Sequence, residues 1–366
     1  MTGAHGDLVV LIGNGLPIAV NPALRLDALT AAFLARHAED QQDLDRLLRE
    51  VHLGDVDPLM DFEGVVAGLE AAEEVVAAFM GLAARSTHPD LIDAASLLRD
   101  RGVPALVRRL YFAYCAEILG AIGEGARVEL GAGILAFAEW LKVMYQAHGQ
   151  LGLFTLNYDL LIERIFVNDD ALGLKPALTD FFSGLESRME MVRIAPDAEP
   201  LLGRLFYPED PPQRPIQLHH LHGCLTHFRR KSDGAIFKFD SAAVREAGIF
   251  ERLAVAEDTN FTPSTILGSR KVGKSREWPF AYAFLELEQR ARAARTIVIA
   301  GYSFRDEAVN TRLQAAAQRG ERRWIVINKK VAGEEQQFMD QVSALLAPAR
   351  PEYALEGFVV QMPEPG

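Results

Sequence analysis

Cysteine and positive charge are both scarce in this sequence. Its two cysteines, Cys115 and Cys224, lie far apart and form no C-x-x-C pair, which excludes a disulfide scaffold and a four-cysteine zinc site. The 38 Lys and Arg residues are outnumbered by 50 Asp and Glu residues, so the formal net charge is −12. Because proteins coat nucleic acids by neutralising phosphates, we expect no direct nucleic-acid binding.

Long apolar segments are also missing. The longest run without a charged residue, residues 8–24, contains two asparagines and two prolines, and no Lys or Arg precedes it. It therefore fits neither a membrane span nor a signal peptide, and we expect no membrane association and a cytoplasmic location. The remaining composition, 49% hydrophobic and 24% charged, is that of an ordinary globular protein of one large or two modest domains.

Apolar runs of strand length alternate with helical stretches in much of the chain. This alternation predicts an α/β fold built on a doubly wound parallel sheet. The predicted strands are residues 8–12, Leu151–Leu156, Ile216–Leu221, Thr296–Ala300, Trp324–Ile327 and Phe358–Gln361. The clearest helices between them are Tyr282–Arg295 and Glu307–Arg319.

Residues 26–148 differ from this pattern because they are rich in Ala, Leu, Glu and Arg with helical spacing throughout. We therefore predict a core formed by residues 1–25 and 149–366, with residues 26–148 as a large helical insertion after the first strand. Seven of the 18 prolines lie between Asn168 and Pro215, which predicts that this stretch is mostly loop.

Ligands of open parallel sheets bind beyond the carboxyl ends of the strands, so the residues that follow each strand are candidates for ligand contacts. Gly13-Asn14-Gly15 follows the first strand and allows close approach of a phosphate, although a tight turn without a ligand is an equal reading. Asn157 and Asp159 follow the second strand. Asp159 fits either a ligand contact or an Asx turn that starts the next helix.

Three histidines, His219, His220 and His222, close the third strand. On a strand His220 and His222 share one face while His219 points away. No fourth ligand of suitable spacing accompanies them, so we expect no metal site. Instead, His222 followed by glycine predicts an exposed imidazole that can act as a general base near neutral pH.

Two further strands also end in small or polar residues. Gly301, Ser303 and, one turn on, Asn310 follow the fourth strand, and Asn328 follows the fifth. Each of these residues, taken alone, is also an ordinary turn residue. Polar tips beyond five successive strands together outline a crevice suited to a nucleotide.

These motifs, in this order, resemble the sirtuin-like superfamily, and most closely the bacterial sirtuin-like domains of anti-phage defence proteins. The resemblance rests on Gly13-Asn14-Gly15, Thr155-Leu156-Asn157-Tyr158-Asp159, Leu221-His222-Gly223, Gly301-Tyr302-Ser303-Phe304-Arg305-Asp306 with Asn310, Asn328, and the segment Ile266–Lys271 followed by Pro279-Phe280. It spans the core motifs but not residues 26–148. It implies a Rossmann-like sheet that binds NAD in an extended form.

The resemblance also implies roles for the residues that contact the dinucleotide. Gly13, Asn14 and Gly15 match the positions that line the pyrophosphate. Gly301 and Ser303 match positions that contact the phosphates or the adenosine ribose, and Asn328 matches a position on that ribose.

Asn157 and His222 fall on the family's two catalytic positions, and Asp159 matches the acid that helps to seat the nicotinamide. The four-cysteine zinc module of the deacylases is missing from this chain, so we expect no zinc. Lysine deacylation is therefore doubtful, whereas NAD cleavage needs only orientation of the ribose, a polarised water and exclusion of solvent.

The expected function is hydrolysis of NAD to nicotinamide and ADP-ribose, used to deplete NAD in anti-phage defence. Such an enzyme must rest inhibited, so oligomerisation, a phage protein or a partner encoded nearby, such as an argonaute or a translocase ATPase, would activate it. Three alternatives remain open. They are a non-catalytic NAD or ADP-ribose sensor, an NAD-dependent protein-modifying transferase or deacylase, and a hydrolase with a triad of Ser303, His222 and Asp306.

Overall fold

The computed structural model describes most of the 366 residues. The described ranges are 7–36, 41–52, 57–58, 62–125, 129–168, 172–182, 188–207, 214–255, 259–267, 271–329 and 333–358. The strands are β1 Leu8–Ile12, β2 Leu151–Thr155, β3 Leu178–Thr179, β4 Met189–Val192, β5 Leu201–Leu205, β6 Ile216–His220, β7 Gly223–Arg230, β8 Ile236–Lys238, β9 Phe261–Thr265, β10 Thr296–Ala300, β11 Arg323–Ile327 and β12 Glu352–Ala354.

Helices fill most of the remaining described chain. They are α1 Gly15–Val20, α2 Leu26–Arg36, α3 Gln41–Val51, α4 Phe62–Ala83, α5 Pro89–Asp100, α6 Val103–Gly125, α7 Ala132–His148, α8 Leu161–Glu163, α9 Ser241–Glu246, α10 Ile249–Ala254, α11 Lys271–Lys274, α12 Phe280–Ala293, α13 Glu307–Ala317 and α14 Glu335–Leu346. None of the helices in these ranges is both long and apolar enough to cross a membrane.

A seven-stranded sheet in the order β12-β11-β10-β1-β2-β6-β3 forms the centre of the fold, and all its pairings are parallel. Every residue of β1, β2 and β10 is buried. Strands covered on both faces read as continuous apolar runs, which is why these strands were visible in the sequence. The chain builds outward from β1 on one side and returns to the other side at β10, so the topology reverses between β1 and β10.

Helices cover both faces of this sheet. On one face, the stripe Ile134, Phe137, Leu141 and Met144 of α7 packs against apolar residues of β1 and β2. On the other face, α12, α13 and α14 pack against β1, β10 and β11. The predicted Rossmann-like α/β fold is therefore confirmed.

The described residues between β1 and β2 contain helices and no strand. Helices α2, α3, α4 and α6 form an apolar cluster of their own, which Tyr158, Leu225 and Leu267 join from outside this helical region. Helix α7 instead packs on the parallel sheet. A helical insertion after the first strand thus agrees with the structure, while the domain boundaries at residues 25 and 149 stay a prediction.

A second, antiparallel sheet in the order β4-β5-β8-β7-β9 was not predicted. Two of its strands, β4 and β5, lie in the proline-rich stretch that we expected to be mostly loop. Strand β4 has no buried residue and β5 has one. Their short sequences, MEMV and LLGRL, show no sustained alternation of apolar and polar residues. Phe228, Phe237 and Phe261 form much of the core of this sheet.

The ends of the predicted strands also differ by single residues in several places, and two of the differences concern the third and the last predicted strand. Strand β6 ends at His220, and His222 lies in the turn that leads to β7 rather than on a strand. The last strand of the parallel sheet is β12, Glu352–Ala354, and the predicted strand Phe358–Gln361 lies outside the described residues except for Phe358, which is in a bend.

Candidate functional site

Five neighbouring strands of the parallel sheet end at one edge, and each is followed by a candidate residue. In the sheet, Ile12 pairs with both Ala300 and Thr155, Ala300 pairs with Ile327, and Thr155 pairs with His220. From β11 to β6, the following residues at this edge are Asn328, Gly301, Gly13, Asn157 and His222. The reversal of topology between β1 and β10 lies within this row, where ligands of such sheets bind.

Gly13, Gly15 and Gly301 bring two loops into backbone contact. A Cβ atom on Gly13 would lie 2.7 Å from the carbonyl oxygen of Gly301, and one on Gly15 would lie 2.6 Å from the Cα of Gly301. The N–H groups of Gly13 and Gly15 donate to the carbonyls of Ala300 and Gly301 at 2.9 and 2.8 Å. These glycines therefore join the two loops, and their contact with a pyrophosphate stays a prediction. The side chain of Asn14 is partly buried at the start of α1.

Gly301→Ala is expected to destabilise the protein by about 3 kcal/mol or more. Its φ of +65° is left-handed, which costs an alanine roughly 1–2 kcal/mol, and its Cβ would lie 2.8 Å from the Cα of Gly15, which adds the cost of overpacking. Gly102→Ala is the matched control, because Gly102 has a φ of +68° and nothing within 4 Å of the added Cβ. Urea unfolding of the two variants should separate them, and equal losses would show that the loop contact contributes nothing.

The loop after β10 is held by its own side chains. Tyr302 donates its hydroxyl to Asn310 Oδ1 at 2.9 Å, and Asn310 donates to the carbonyl of Phe304 at 2.9 Å. Asn328 donates through Nδ2 to the carbonyl of Tyr302 at 3.0 Å. Asn310 and Asn328 thus position this loop. Asn328 also accepts through Oδ1 from the backbone N–H of Lys329 at 2.9 Å, and its contact with an adenosine ribose stays a prediction. The side chain of Ser303, in contrast, is exposed at the surface of the loop.

Asn157 is buried, with 4% of its surface exposed. Its side-chain Nδ2 donates to the carbonyl of Gly13 at 3.2 Å, and its backbone N–H donates to Oγ1 of Thr155 at 3.1 Å. The first bond fixes the direction of the side-chain amide, and the second holds the backbone at the strand end. Its Oδ1 is buried and has no hydrogen-bond partner among the described residues, so the fixed amide presents an acceptor that a ligand hydroxyl or a water could satisfy.

Asp159 is also buried and accepts a hydrogen bond from the backbone N–H of Leu161 at 2.8 Å. This is the Asx turn that we considered for it, and it starts helix α8. Burial raises the pKa of Asp159 to about 6, although the hydrogen bond from Leu161 opposes the shift. A carboxyl group that titrates near neutral pH at a strand end is a functional-site candidate as well as a turn residue.

His222 lies in the same row but is not exposed, so that prediction was wrong. Only 3% of its surface is exposed, because Tyr158 and Phe284 pack around its ring and Asp306 lies beside it. Its Nε2 is 3.0 Å from Oδ2 of Asp306, although the two are poorly aligned for a hydrogen bond. Burial and the charge of Lys271 lower the pKa of His222, while Asp306 opposes this shift.

Asp306 caps helix α13 and carries the negative charge next to His222. Its Oδ1 accepts from the backbone N–H of Val309 at 3.0 Å, which leaves Oδ2 for His222 and for Lys271, whose Nζ lies 3.4 Å away. Burial alone would raise the pKa of Asp306, but His222 and Lys271 hold it well below its usual range. Because Asp306 is ionised and can only accept a hydrogen bond, its charge favours the neutral tautomer of His222 that carries the proton on Nε2.

The alternative of a triad of Ser303, His222 and Asp306 is supported only in part. His222 and Asp306 are paired and buried, whereas the Ser303 side chain is exposed. The sequence analysis did not select Lys271 or Glu63 as site residues. Lys271 Nζ also contacts Oε1 of Glu63 at 2.6 Å, across 208 positions of sequence, and no local motif indicates such a pair.

A second buried cluster lies behind Asn157. His220 Nε2 is 2.9 Å from Oε1 of Glu163, and His220 Nδ1 is 3.4 Å from the backbone oxygen of Asn157. Ligand atoms of Glu163, His220 and Cys224 lie within 4.8 Å of one another. However, the ammonium of Lys238 lies 3.3 Å from the same Glu163 oxygen, and burial raises the pKa of the Cys224 thiol. The ammonium thus already occupies the place of a cation, and the cluster is better described as an ion-pair network.

The histidines at the end of β6 therefore have three different environments. His219 stacks on Phe154 at a centroid distance of 4.8 Å, His220 pairs with Glu163, and His222 pairs with Asp306. The expectation that His220 and His222 share one face of a strand was wrong, because the strand ends between them.

A comparison with known protein families identifies the family of this chain. The sequence profile of the SIR2-like domain matches residues 152–344, which is more than half of the 366 residues. The chain therefore belongs to the SIR2-like domain family. The match spans the second to the fifth predicted strand and includes Asn157, His222, Gly301 and Asn328.

Solved structures with a similar course of the chain include a Sir2 enzyme described for its mechanism and regulation, at 11% sequence identity and a TM-score of 0.40, covering 97% of this chain and 88% of that one. They also include a Sir2 homologue in complex with NAD, at 15% identity and a TM-score of 0.39, covering 96% of this chain and 84% of that one. No curated protein matches the sequence.

Proposed function

We propose that this protein is an NAD glycohydrolase that cleaves NAD to nicotinamide and ADP-ribose. The observation that carries the proposal is the pair of buried groups at adjacent strand ends in a SIR2-like domain: the fixed amide of Asn157, with an unsatisfied Oδ1, and the imidazole of His222. NAD brings ribose hydroxyls and a cationic nicotinamide leaving group to such a site. That leaving group needs no protonation, so the protein has to supply orientation and one base.

Asn157 supports the orienting role. Because its Nδ2 is held by the carbonyl of Gly13, Oδ1 is the atom that faces a partner, and it accepts from a ribose hydroxyl or from the attacking water. A fixed acceptor costs no reorganisation during the reaction. Asp159, held in its turn by the N–H of Leu161, is the proposed neighbour of the nicotinamide end.

His222 supports the role of general base. Burial lowers its pKa, so the ring is neutral at physiological pH and can take the proton of a water or a ribose hydroxyl. Asp306 lies beside Nε2 and stabilises the imidazolium that this transfer creates. The balance of the step is simple: the water adds to the ribose carbon, nicotinamide leaves with the bond electrons, and the water proton passes to His222.

The remaining site residues are proposed to hold the dinucleotide. The glycine loops allow the backbone to approach the dinucleotide closely, as their backbone hydrogen bonds of 2.9 and 2.8 Å to Ala300 and Gly301 illustrate, and the exposed Ser303 offers a hydroxyl. The residues proposed for the pyrophosphate, the phosphates and the adenosine ribose are Gly13, Asn14, Gly15, Gly301, Ser303 and Asn328.

We further propose that the reaction depletes NAD in anti-phage defence and is switched on by oligomerisation or by a partner protein. The burial of both proposed catalytic residues, 4% exposed for Asn157 and 3% for His222, supports a resting state in which the site is covered. Activation then has to open it to substrate. A partner encoded nearby, such as an argonaute or a translocase ATPase, is the expected type of activator.

The test is an assay of purified protein with NAD, alone and with the products of neighbouring genes and of phage infection, followed by chromatography. Equimolar release of nicotinamide and ADP-ribose is the expected result. Binding of NAD without turnover in every condition would favour the sensor instead. Nicotinamide release with labelled partner protein and little free ADP-ribose would favour a transferase or deacylase.

A further inference from the structure

We propose that Glu63, Lys271 and Asp306 form a chain of charges that positions His222 and couples it to helix α4. The inference concerns the regulation of the proposed site and rests on the proposed function for its catalytic consequence only. Asp306 and Lys271 are positioning residues in this chain of charges, because they act through His222. Glu63 is the link to the helical region between β1 and β2.

The chain is continuous at ion-pair distances. His222 Nε2 lies 3.0 Å from Oδ2 of Asp306, the same oxygen lies 3.4 Å from Nζ of Lys271, and Nζ lies 2.6 Å from Oε1 of Glu63. The side chains become more exposed along it, from 3% for His222 and Asp306 to 16% for Lys271 and 37% for Glu63. The inner pair is therefore well shielded from solvent, whereas the outer pair can be broken and remade.

The ammonium of Lys271 contacts two carboxylates, so a change at Glu63 alters the contact with Asp306. Burial lowers the pKa of Lys271, but Glu63 and Asp306 together raise it above its usual value. While Glu63 holds Lys271 at 2.6 Å, Asp306 keeps its closer contact with His222. If α4 withdraws Glu63, the ammonium keeps its contact with Asp306 and competes with His222 for Oδ2.

Helix α11 ties Lys271 to α4 at a second point. Lys274, at the other end of α11, pairs with Glu70, which lies about two helical turns after Glu63 on α4. The two contacts join both ends of α11 to α4. Only the first of them reaches Asp306, so the second provides a matched control that loosens the same junction without entering the chain.

Among the described residues, the titratable groups that contact His222 or act on its charge come from four elements. They are Asp306 at the start of α13, Lys271 on α11, Glu63 on α4 and the phenol of Tyr158 after β2. Burial raises the pKa of Tyr158 well above its usual value, so the phenol stays neutral. The charges that act on His222 are therefore the three members of the chain.

The experiment is an NMR titration of the His222 imidazole in the full-length protein without NAD. Lys271→Met should raise the pKa of His222 by about 1 unit, because it removes a neighbouring positive charge, and Asp306→Asn should lower it by a similar amount. Glu63→Gln should lower it by less, and Glu70→Gln should leave it unchanged. Thermal unfolding of each variant shows whether the fold is retained.

Lys271→Met and Asp306→Asn are expected to shift the pKa of His222 in opposite directions. A general loss of packing would shift it in the same direction in both variants, so the signs distinguish the two explanations. No change with Glu63→Gln, or an equal change with Glu70→Gln, would overturn the coupling to α4. Since the titration needs no turnover, it can succeed where NAD hydrolysis fails, and the two proposals are tested separately. Where turnover is present, Asp306→Asn should lower kcat by ~10-fold or more and change KM less.

Discussion

Asn157→Ala is expected to reduce nicotinamide release by ~10²-fold or more, because it removes the group that orients the ribose or the water. The amide is directed by Gly13 and its Oδ1 is unsatisfied in the described structure, so truncation removes an acceptor that the fold itself does not use. The loss in stability should be only about 1 kcal/mol, the usual contribution of one hydrogen bond. Activity and thermal unfolding measured on the same preparation would separate the two effects.

The matched control is Asn260→Ala. Asn260 also donates its side-chain amide to a backbone carbonyl, that of Arg193 at 2.9 Å, but it is exposed and lies at the antiparallel sheet. This variant should lose a comparable hydrogen bond and keep full turnover. Unchanged nicotinamide release in Asn157→Ala would contradict the proposed mechanism, and an equal loss in Asn260→Ala would show that the assay reports stability.

The strands of the parallel sheet could be predicted because their signal is local. Residues 8–12 are apolar throughout and buried throughout, and the residues after each strand are placed by topology once the sheet is parallel. The same argument placed Asn157, His222, Gly301 and Asn328 at one edge. Glycines follow β1 and β10 because the two loops approach each other closely, and their contact with a phosphate stays a prediction.

Long-range features were beyond such arguments. Strands β4 and β5 expose apolar side chains, with Met191 64% and Leu202 50% exposed, so their pattern does not indicate a sheet. The burial of His222 depends on Tyr158, Phe284 and Asp306, which come from three other segments. A pair such as Lys271 and Glu63 becomes visible only when the helical region is packed against the core.

The burial of His222 changes how its replacement must be designed. Alanine would leave a cavity beside Tyr158 and Phe284, with a stability loss that confuses the assay. His222→Gln keeps most of the volume and a polar head for Asp306 but cannot take a proton at neutral pH. We expect it to lower nicotinamide release by ~10²-fold or more. His88→Gln, at an exposed histidine beside Asp90, is the control and should retain full activity.

The pH dependence of the wild-type protein gives the last expected result. A general base works when neutral, so activity should be complete above the pKa of His222 and fall as the pH drops through it. Because burial and Lys271 lower this pKa below its usual value of 6.5, turnover should stay nearly constant from pH 8 to the point where an exposed histidine would be half protonated. The acidic limb of the pH profile should lie at lower pH.

Lys271→Met should move this limb to higher pH, because it removes a charge that disfavours the imidazolium. Asp306→Asn should move it to lower pH, because it removes a charge that favours the imidazolium. A limb that stays in place in both variants would show that a group other than His222 controls the rate; Asp159, with a pKa of about 6, would then be the first residue to replace.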